Sequence, residues 1–105
     1  MSSIKKITHF INGETWSGSS ERSGDVFNPA TGLVTAQIDF ASVSVVDHAV
    51  EVAFNAQKEW RSTSLAKRSQ ILFAFREILN SRKEEVAALI TAEHGKVLSA
   101  ALGEV

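Results

Sequence analysis

The segment Ile90-Thr91-Ala92-Glu93-His94-Gly95-Lys96-Val97-Leu98, with Ala101-Leu102-Gly103-Glu104-Val105 close behind it, decides how this chain is read. Its first part closes a helix. Gly95 can take the left-handed backbone position that follows a last helical turn, and His94 and Lys96 suit the negative end of the helix dipole. Its second part opens another helix near Val97, with Leu98, Ala101, Leu102 and Val105 on one face. That pattern reaches Val105 without a stop signal, so the expectation is a piece of something larger.

The helical pattern extends back toward the N-terminus. A third helix carries Val86, Leu89 and Ile90 inward, and Ser81 with Glu84 reads as its capping box. A second helix over about Leu65 to Leu79 has Ile71, Leu72, Phe75, Ile78 and Leu79 at the spacing of one apolar face. A first helix over about Val43 to Trp60 aligns Val46, Ala49, Val50, Ala53 and Trp60, with Phe54 beside them and Ser42 or Ser44 as N-cap. Phe73 lies off the main stripe of its helix and could mark contact with a second surface, such as the remainder of a longer chain or another subunit.

Before Ser42 the chain changes character. Thr8 to Ile11 reads as a short strand, and Asn12-Gly13 as a type I′ hairpin turn with Thr15 and Trp16 starting the return. Ser17 to Gly24 reads as a loop, Asp25-Val26-Phe27 as a strand, and Asn28-Pro29 through Gly32 as a turn. Val34, Ala36, Ile38 and Phe40 alternate with polar residues, the period of a half-buried strand. The expected organisation is a strand and hairpin segment over 1–41 and a helical segment over 42–105. Three or four such short strands leave unpaired edges and do not close a sheet unaided.

Composition narrows the function. With 105 residues the chain is at most one small domain, and its formal net charge of −1 argues against nucleic acid or an anionic membrane as partner. It has no cysteine, which excludes disulfides, thiolate metal sites and a cysteine nucleophile within these residues. No apolar run approaches the roughly 18 residues of a membrane span. Lys5 and Lys6 are followed by His9, Asn12, Gly13 and Glu14, a poor signal peptide, so a cytoplasmic protein is expected.

Few residues offer chemistry. Glu93, His94 and Lys96 gather a carboxylate, an imidazole and an ammonium around Gly95 and could form an acid–base cluster. The same residues serve equally as an ordinary helix terminus, the reading preferred here. His9 and His48 are isolated and form no zinc-ligand spacing. Trp16, Trp60, Phe73 and Phe75 could line an aromatic pocket but suit a core or interface. Lys67, Arg68, Arg76, Arg82, Lys83 and Lys96 alternate with Glu77, Glu84, Glu85 and Glu93 in the manner of solvated helix faces. Neither a G-x-G-x-x-G nor a P-loop pattern occurs. No catalytic, cofactor-binding or metal residue is therefore assigned.

The order and spacing of Phe10-Ile11-Asn12-Gly13-Glu14-Thr15-Trp16, Asn28-Pro29-Ala30-Thr31-Gly32, Trp60-Arg61, the helix of Arg68 through Leu79, and Ala92-Glu93-His94-Gly95-Lys96 resemble the start of an aldehyde dehydrogenase. The last of these, with Ala101-x-Gly103-Glu104, is most similar to the CoA-acylating methylmalonate-semialdehyde branch. Val97 and Ala100 stand where that branch commonly has Thr and Asp.

The resemblance implies an α/β fold whose N-terminal fragment is short strands and hairpins followed by about four helices, leading into an NAD-binding domain. It implies an NAD-dependent oxidoreductase that attacks its aldehyde with a cysteine thiolate and passes the acyl group to CoA. The products would be propionyl-CoA or acetyl-CoA from methylmalonate or malonate semialdehyde. NAD and CoA would serve the full-length enzyme, a homo-oligomer, and neither is expected on this fragment, which should be inactive alone. The competing readings are another aldehyde dehydrogenase branch, such as a succinate-semialdehyde enzyme, and a stand-alone helical interaction domain.

Overall fold

The structure, a computed structural model, describes residues 3–105. Five strands and four helices follow in order among these residues: β1 Lys5–Ile7, β2 Phe10–Ile11, β3 Glu14–Thr15, β4 Ser23–Phe27, β5 Val34–Asp39, α1 Val43–Ser62, α2 Leu65–Ser81, α3 Lys83–His94 and α4 Leu98–Glu104. The fold is mixed α/β. The residues form two compact units, one of the residues up to Phe27 with Val34–Ser62, the other of Asn28–Leu33 with Thr63–Val105.

The first unit is built around a three-stranded sheet in the order β1-β5-β4. The β1 strand runs parallel to β5 and β4 antiparallel to it, with Ala36 opposite both Lys5 and Val26. Ala36, on the central strand, is 6% exposed. A separate hairpin pairs Phe10 with Thr15 and Ile11 with Glu14. Its turn takes the expected form, with Asn12 at φ 58° and Gly13 at φ 76°. The strand read over Thr8 to Ile11 is shorter, only Phe10–Ile11, and Lys5–Ile7 forms a strand of its own. The loop read to Gly24 also yields to pairing: Ser23 and Gly24 join β4 because Asp39 and Ile38 stand opposite them.

α1 begins where Ser42 accepts a hydrogen bond from the Val45 amide at 3.3 Å, so Ser42 rather than Ser44 is the cap. The half-buried side of α1 is Val45, Ala49 and Val52. Of the expected stripe Ala49 is half-buried, whereas Val46, Val50, Ala53 and Trp60 are exposed, as is Phe54 beside them. Both rows have helical spacing, and periodicity alone does not say which one meets the unit's other elements. Ile38 and Phe40, read as the inner face of β5, are likewise exposed.

In the second unit α3 and α4 pack on each other. Ala87 and Ala101 are fully buried, because a methyl lets two helices approach where a larger side chain would hold them apart. Val86 and Ile90 are half-buried, whereas Leu89, read as inward, is 62% exposed. α2 contains no buried residue. Its N-cap is Ser64, which accepts a hydrogen bond from the Lys67 amide at 3.2 Å. The capping box read at Ser81 and Glu84 does not form. Ser81 sits in the last turn of α2 and donates to the Ile78 carbonyl at 2.7 Å, and Arg82 holds the cap position without a side-chain bond. Only Arg82 separates α2 from α3, leaving no extended residue for a serine to cap from.

Candidate functional site

The cluster around Gly95 is a structural junction. Gly95 adopts φ 86° and its amide donates to the Thr91 carbonyl at 2.8 Å, closing α3 as the sequence reading expected. Lys96 forms an ion pair with Glu104 on α4. The hydrogen bond from Lys96, then its charge, holds the Glu104 carboxyl below the usual carboxylate range, with a smaller contribution from His94. The ammonium is thus held by a carboxylate, and the carboxylate stays ionised. That is the state of a tie between two helices rather than of an acid–base pair tuned toward neutrality.

The structure also brings together two motifs far apart in sequence. A Cβ built on Gly95 would lie 3.1 Å from Cγ and 3.4 Å from Cβ of Pro29. Pro29 belongs to a turn in which Asn28 Oδ1 accepts from the Ala30 amide at 2.8 Å and the Gly32 amide donates to the Asn28 carbonyl at 2.8 Å. Gly32 takes φ 72° there. Glycine is therefore needed at 95 twice over, for its backbone angle and for the approach of the proline ring. The two stretches, each only a turn signal by itself, are one packed feature.

In the first unit Trp16 meets His48, with ring centroids 5.3 Å apart at 45°. Nothing in the spacing of these residues pointed to that contact. Trp16 also lines a hollow of about 310 Å³ with His9, Ser20, Arg22, Asp39 and Phe40. The Ser20 hydroxyl lies within hydrogen-bond reach of the Phe40 and Arg22 carbonyls, to either of which it can donate its one proton, and the Arg22 guanidinium stands 5.8 Å from the Phe40 ring centre. The hydroxyl and the cation are thus occupied in holding the loop between β3 and β4.

Among the described residues no group of three or more His, Asp and Glu side chains is arranged to hold a metal ion. No helix among them is long and apolar enough to cross a membrane. The junction from β5 to α1, Phe40-Ala41-Ser42, contains no glycine, and Ser42 spends its hydroxyl on its own helix. It does not offer the glycine-rich phosphate cradle that a dinucleotide site requires.

Residues 16–105 match the model of the aldehyde dehydrogenase family. The chain belongs to that family. It is 43% identical over 102 residues to malonate-semialdehyde dehydrogenase 2 of Oceanobacillus iheyensis, covering 97% of this chain and 21% of that protein. It is 40% identical over 105 residues to malonate-semialdehyde dehydrogenase of Bacillus subtilis, covering 100% of this chain and 22% of the relative. Its backbone superposes with a TM-score of 0.94 on a Sinorhizobium meliloti structure described as a methylmalonate-semialdehyde dehydrogenase complexed with NAD. There the identity is 35%, and the match covers 100% of this chain and 21% of that one. The methylmalonate-semialdehyde dehydrogenase of Oceanimonas doudoroffii matches at a TM-score of 0.92 and 40% identity, over 96% of this chain and 20% of that one. The chain thus spans about a fifth of the length of the relatives it matches, and it corresponds to the N-terminal part of their fold.

Proposed function

We propose that this chain serves as the N-terminal segment of a CoA-acylating methylmalonate- or malonate-semialdehyde dehydrogenase and is inactive alone. The observation that carries the proposal is the 43% identity to a malonate-semialdehyde dehydrogenase over 97% of these residues. The whole enzyme would oxidise the semialdehyde with NAD and deliver propionyl-CoA or acetyl-CoA. It would act in the cytoplasm as a homodimer or tetramer.

Inactivity follows from chemistry. The 105 residues hold no cysteine to form the thiohemiacetal. The glycine-free junction from β5 to α1 supports the reading that these residues do not bind NAD by themselves. The role of this segment is support, with its exposed apolar helices packing behind the cofactor domain. Twenty large hydrophobic residues are at least 38% exposed among the described residues, and only three alanines form the buried hydrophobic core. A stand-alone domain would carry fewer such side chains in contiguous faces.

The test is to purify the native gene product and follow NADH formation with malonate, methylmalonate and succinate semialdehydes, with and without CoA. Acetyl-CoA and propionyl-CoA formation from the first two is the expected result. A preference for succinate semialdehyde without CoA dependence would move the chain to another branch. Aldehyde-dependent NADH formation by the 105-residue chain itself would refute its inactivity.

A further inference from the structure

We propose that Asn12, in the turn between β2 and β3, is a site of spontaneous modification. Its side-chain amide is displaced by the Gly13 nitrogen, and the products are aspartate and isoaspartate. The fold, and not the sequence alone, singles out this asparagine.

The chain holds four asparagines, followed in turn by Gly13, Pro29, Ala56 and Ser81. The reaction needs the backbone N–H of the next residue as nucleophile. Asn28 has none to use, because Pro29 carries no N–H, and its Oδ1 accepts from the Ala30 amide at 2.8 Å. Asn55 lies within α1 and Asn80 within α2, where the N–H of the next residue is engaged in the helix ladder. Asn12, Asn55 and Asn80 are all exposed, so access of water is not the difference. The backbone is. Asn12 sits in a tight turn at φ 58°, the one non-glycine residue at positive φ among the described residues. The hairpin it closes has two residues on each side, too few to hold the turn firmly. Gly13 has no side chain to obstruct the attack, and beyond its chain neighbours no atom lies within 4 Å of where a Cβ would stand.

The Gly13 nitrogen gives its proton to solvent base and bonds to Asn12 Cγ. The Cγ–Nδ2 bond breaks, and Nδ2 leaves as ammonia with a proton from water. Water then opens the cyclic imide, at Cγ to give aspartate or at the Asn12 backbone carbonyl to give isoaspartate. Nothing is oxidised or reduced.

The two products differ in consequence. Aspartate before glycine suits the same turn. Isoaspartate adds a methylene to the backbone of a two-residue loop whose length sets the pairing of Phe10 with Thr15 and of Ile11 with Glu14. The hairpin leads directly into Trp16, whose amide donates to the His9 carbonyl at 2.8 Å and whose ring meets His48. Lost pairing therefore reaches α1.

The test follows the native gene product, fresh and after incubation in mildly alkaline buffer. Its asparagine peptides are read by mass spectrometry, with electron-transfer fragmentation to separate isoaspartate from aspartate. The expected result is conversion at Asn12 faster than at Asn55 or Asn80 by on the order of tenfold or more, with the gap narrowing in urea, where the helices no longer hold their N–H groups. Hydrogen exchange in the Phe10–Trp16 peptide should quicken in the aged protein and stay at the parent's rate in Asn12→Asp. Conversion at Asn55 or Asn80 as fast as at Asn12 in the folded protein overturns the proposal, and so does an Asn12 that does not convert. A gap unchanged in urea overturns selection by the fold. Isoaspartate formed with no change in hydrogen exchange overturns the loss of pairing. None of these readings depends on the enzyme's activity.

Discussion

Within the second unit, α3 and α4 are short and bury alanines, whereas α2 is long and exposes leucine, isoleucine and phenylalanine. Ala87 and Ala101 are at 0% exposure while Leu72 and Phe75 are both at 61%. Hydrophobicity by itself predicts the reverse. The difference lies in what each helix meets: α3 and α4 have each other, and close approach favours the smallest side chain. α2 has an apolar face with nothing comparable against it among the described residues. A helix can therefore declare its inward face plainly in sequence while that face remains open in the chain that encodes it.

The contrast breaks most readily through volume. Ala87→Leu or Ala101→Leu should overpack the contact between α3 and α4 and cost about 1–3 kcal/mol. Leu72→Ala in α2 should fall within about 0.5 kcal/mol, as exposed substitutions do. Urea unfolding followed by circular dichroism measures both. Equal losses at Leu72 and Ala87 would mean that α2 is packed in the isolated chain after all.

Gly95 offers the next largest effect. Gly95→Ala places an L-residue at φ 86°, costing about 1–2 kcal/mol, and adds a methyl 3.1 Å from the Pro29 ring. Gly13→Ala is the control, since Gly13 has φ 76° and no atom within 4 Å of its added Cβ. The excess cost at Gly95 over Gly13 should disappear in a Pro29→Ala background. An excess that persists without the proline would place the strain in the backbone alone.

The serines at the two ends of α2 sharpen the same contrast at lower cost. Ser64→Ala removes the hydroxyl that accepts from the Lys67 amide and should cost about 1 kcal/mol. Ser81→Ala removes a bond back to the Ile78 carbonyl inside the last turn and should cost no more than a few tenths of a kcal/mol. Helical signal at 222 nm during thermal unfolding separates them. A larger loss at Ser81 would restore the capping role that its sequence context implied.

These serines show where the sequence was legible. The hairpin at Asn12-Gly13, the stop at Gly95 and the existence of four helices follow from local backbone chemistry, and local chemistry is what a sequence displays. Which side of Ala49 turns inward in α1 was not legible, since Val45-Ala49-Val52 and Val46-Ala49-Val50-Ala53 both have helical spacing. Burial at Ala87 and Ala101 was hidden for a different reason. Alanine suits an exposed and a buried helix position alike, and only the partner decides. Nor could the approach of Pro29 to Gly95 be read from residues so far apart. No reacting residue was assigned from the sequence, and the ammonium of Lys96, beside Gly95, is paired with the Glu104 carboxylate.

That tie gives the smallest expected effect, and its sign is fixed. The Lys96 hydrogen bond holds the folded Glu104 carboxyl below its ordinary range, and the hydrogen bond from Arg82 does the same to Glu85. A folded state that binds its proton less readily than the unfolded chain is favoured above the ordinary carboxylate range. It loses that advantage as pH falls through the lowered folded values. Lys96→Met should therefore destabilise the chain at neutral pH, and its difference from the parent should shrink as urea midpoints are taken from pH 6 toward pH 3. Arg82→Met should follow the same course with a smaller amplitude. Its pair lies within three residues and both side chains are mostly exposed, at 62% and 58%, where solvent screens the charges. Lys96 is only 20% exposed and joins the end of α3 to α4, so its loss bears on two helices that pack on each other. A difference that grows on acidification would show that the carboxylate is not ionised by its partner in the folded chain.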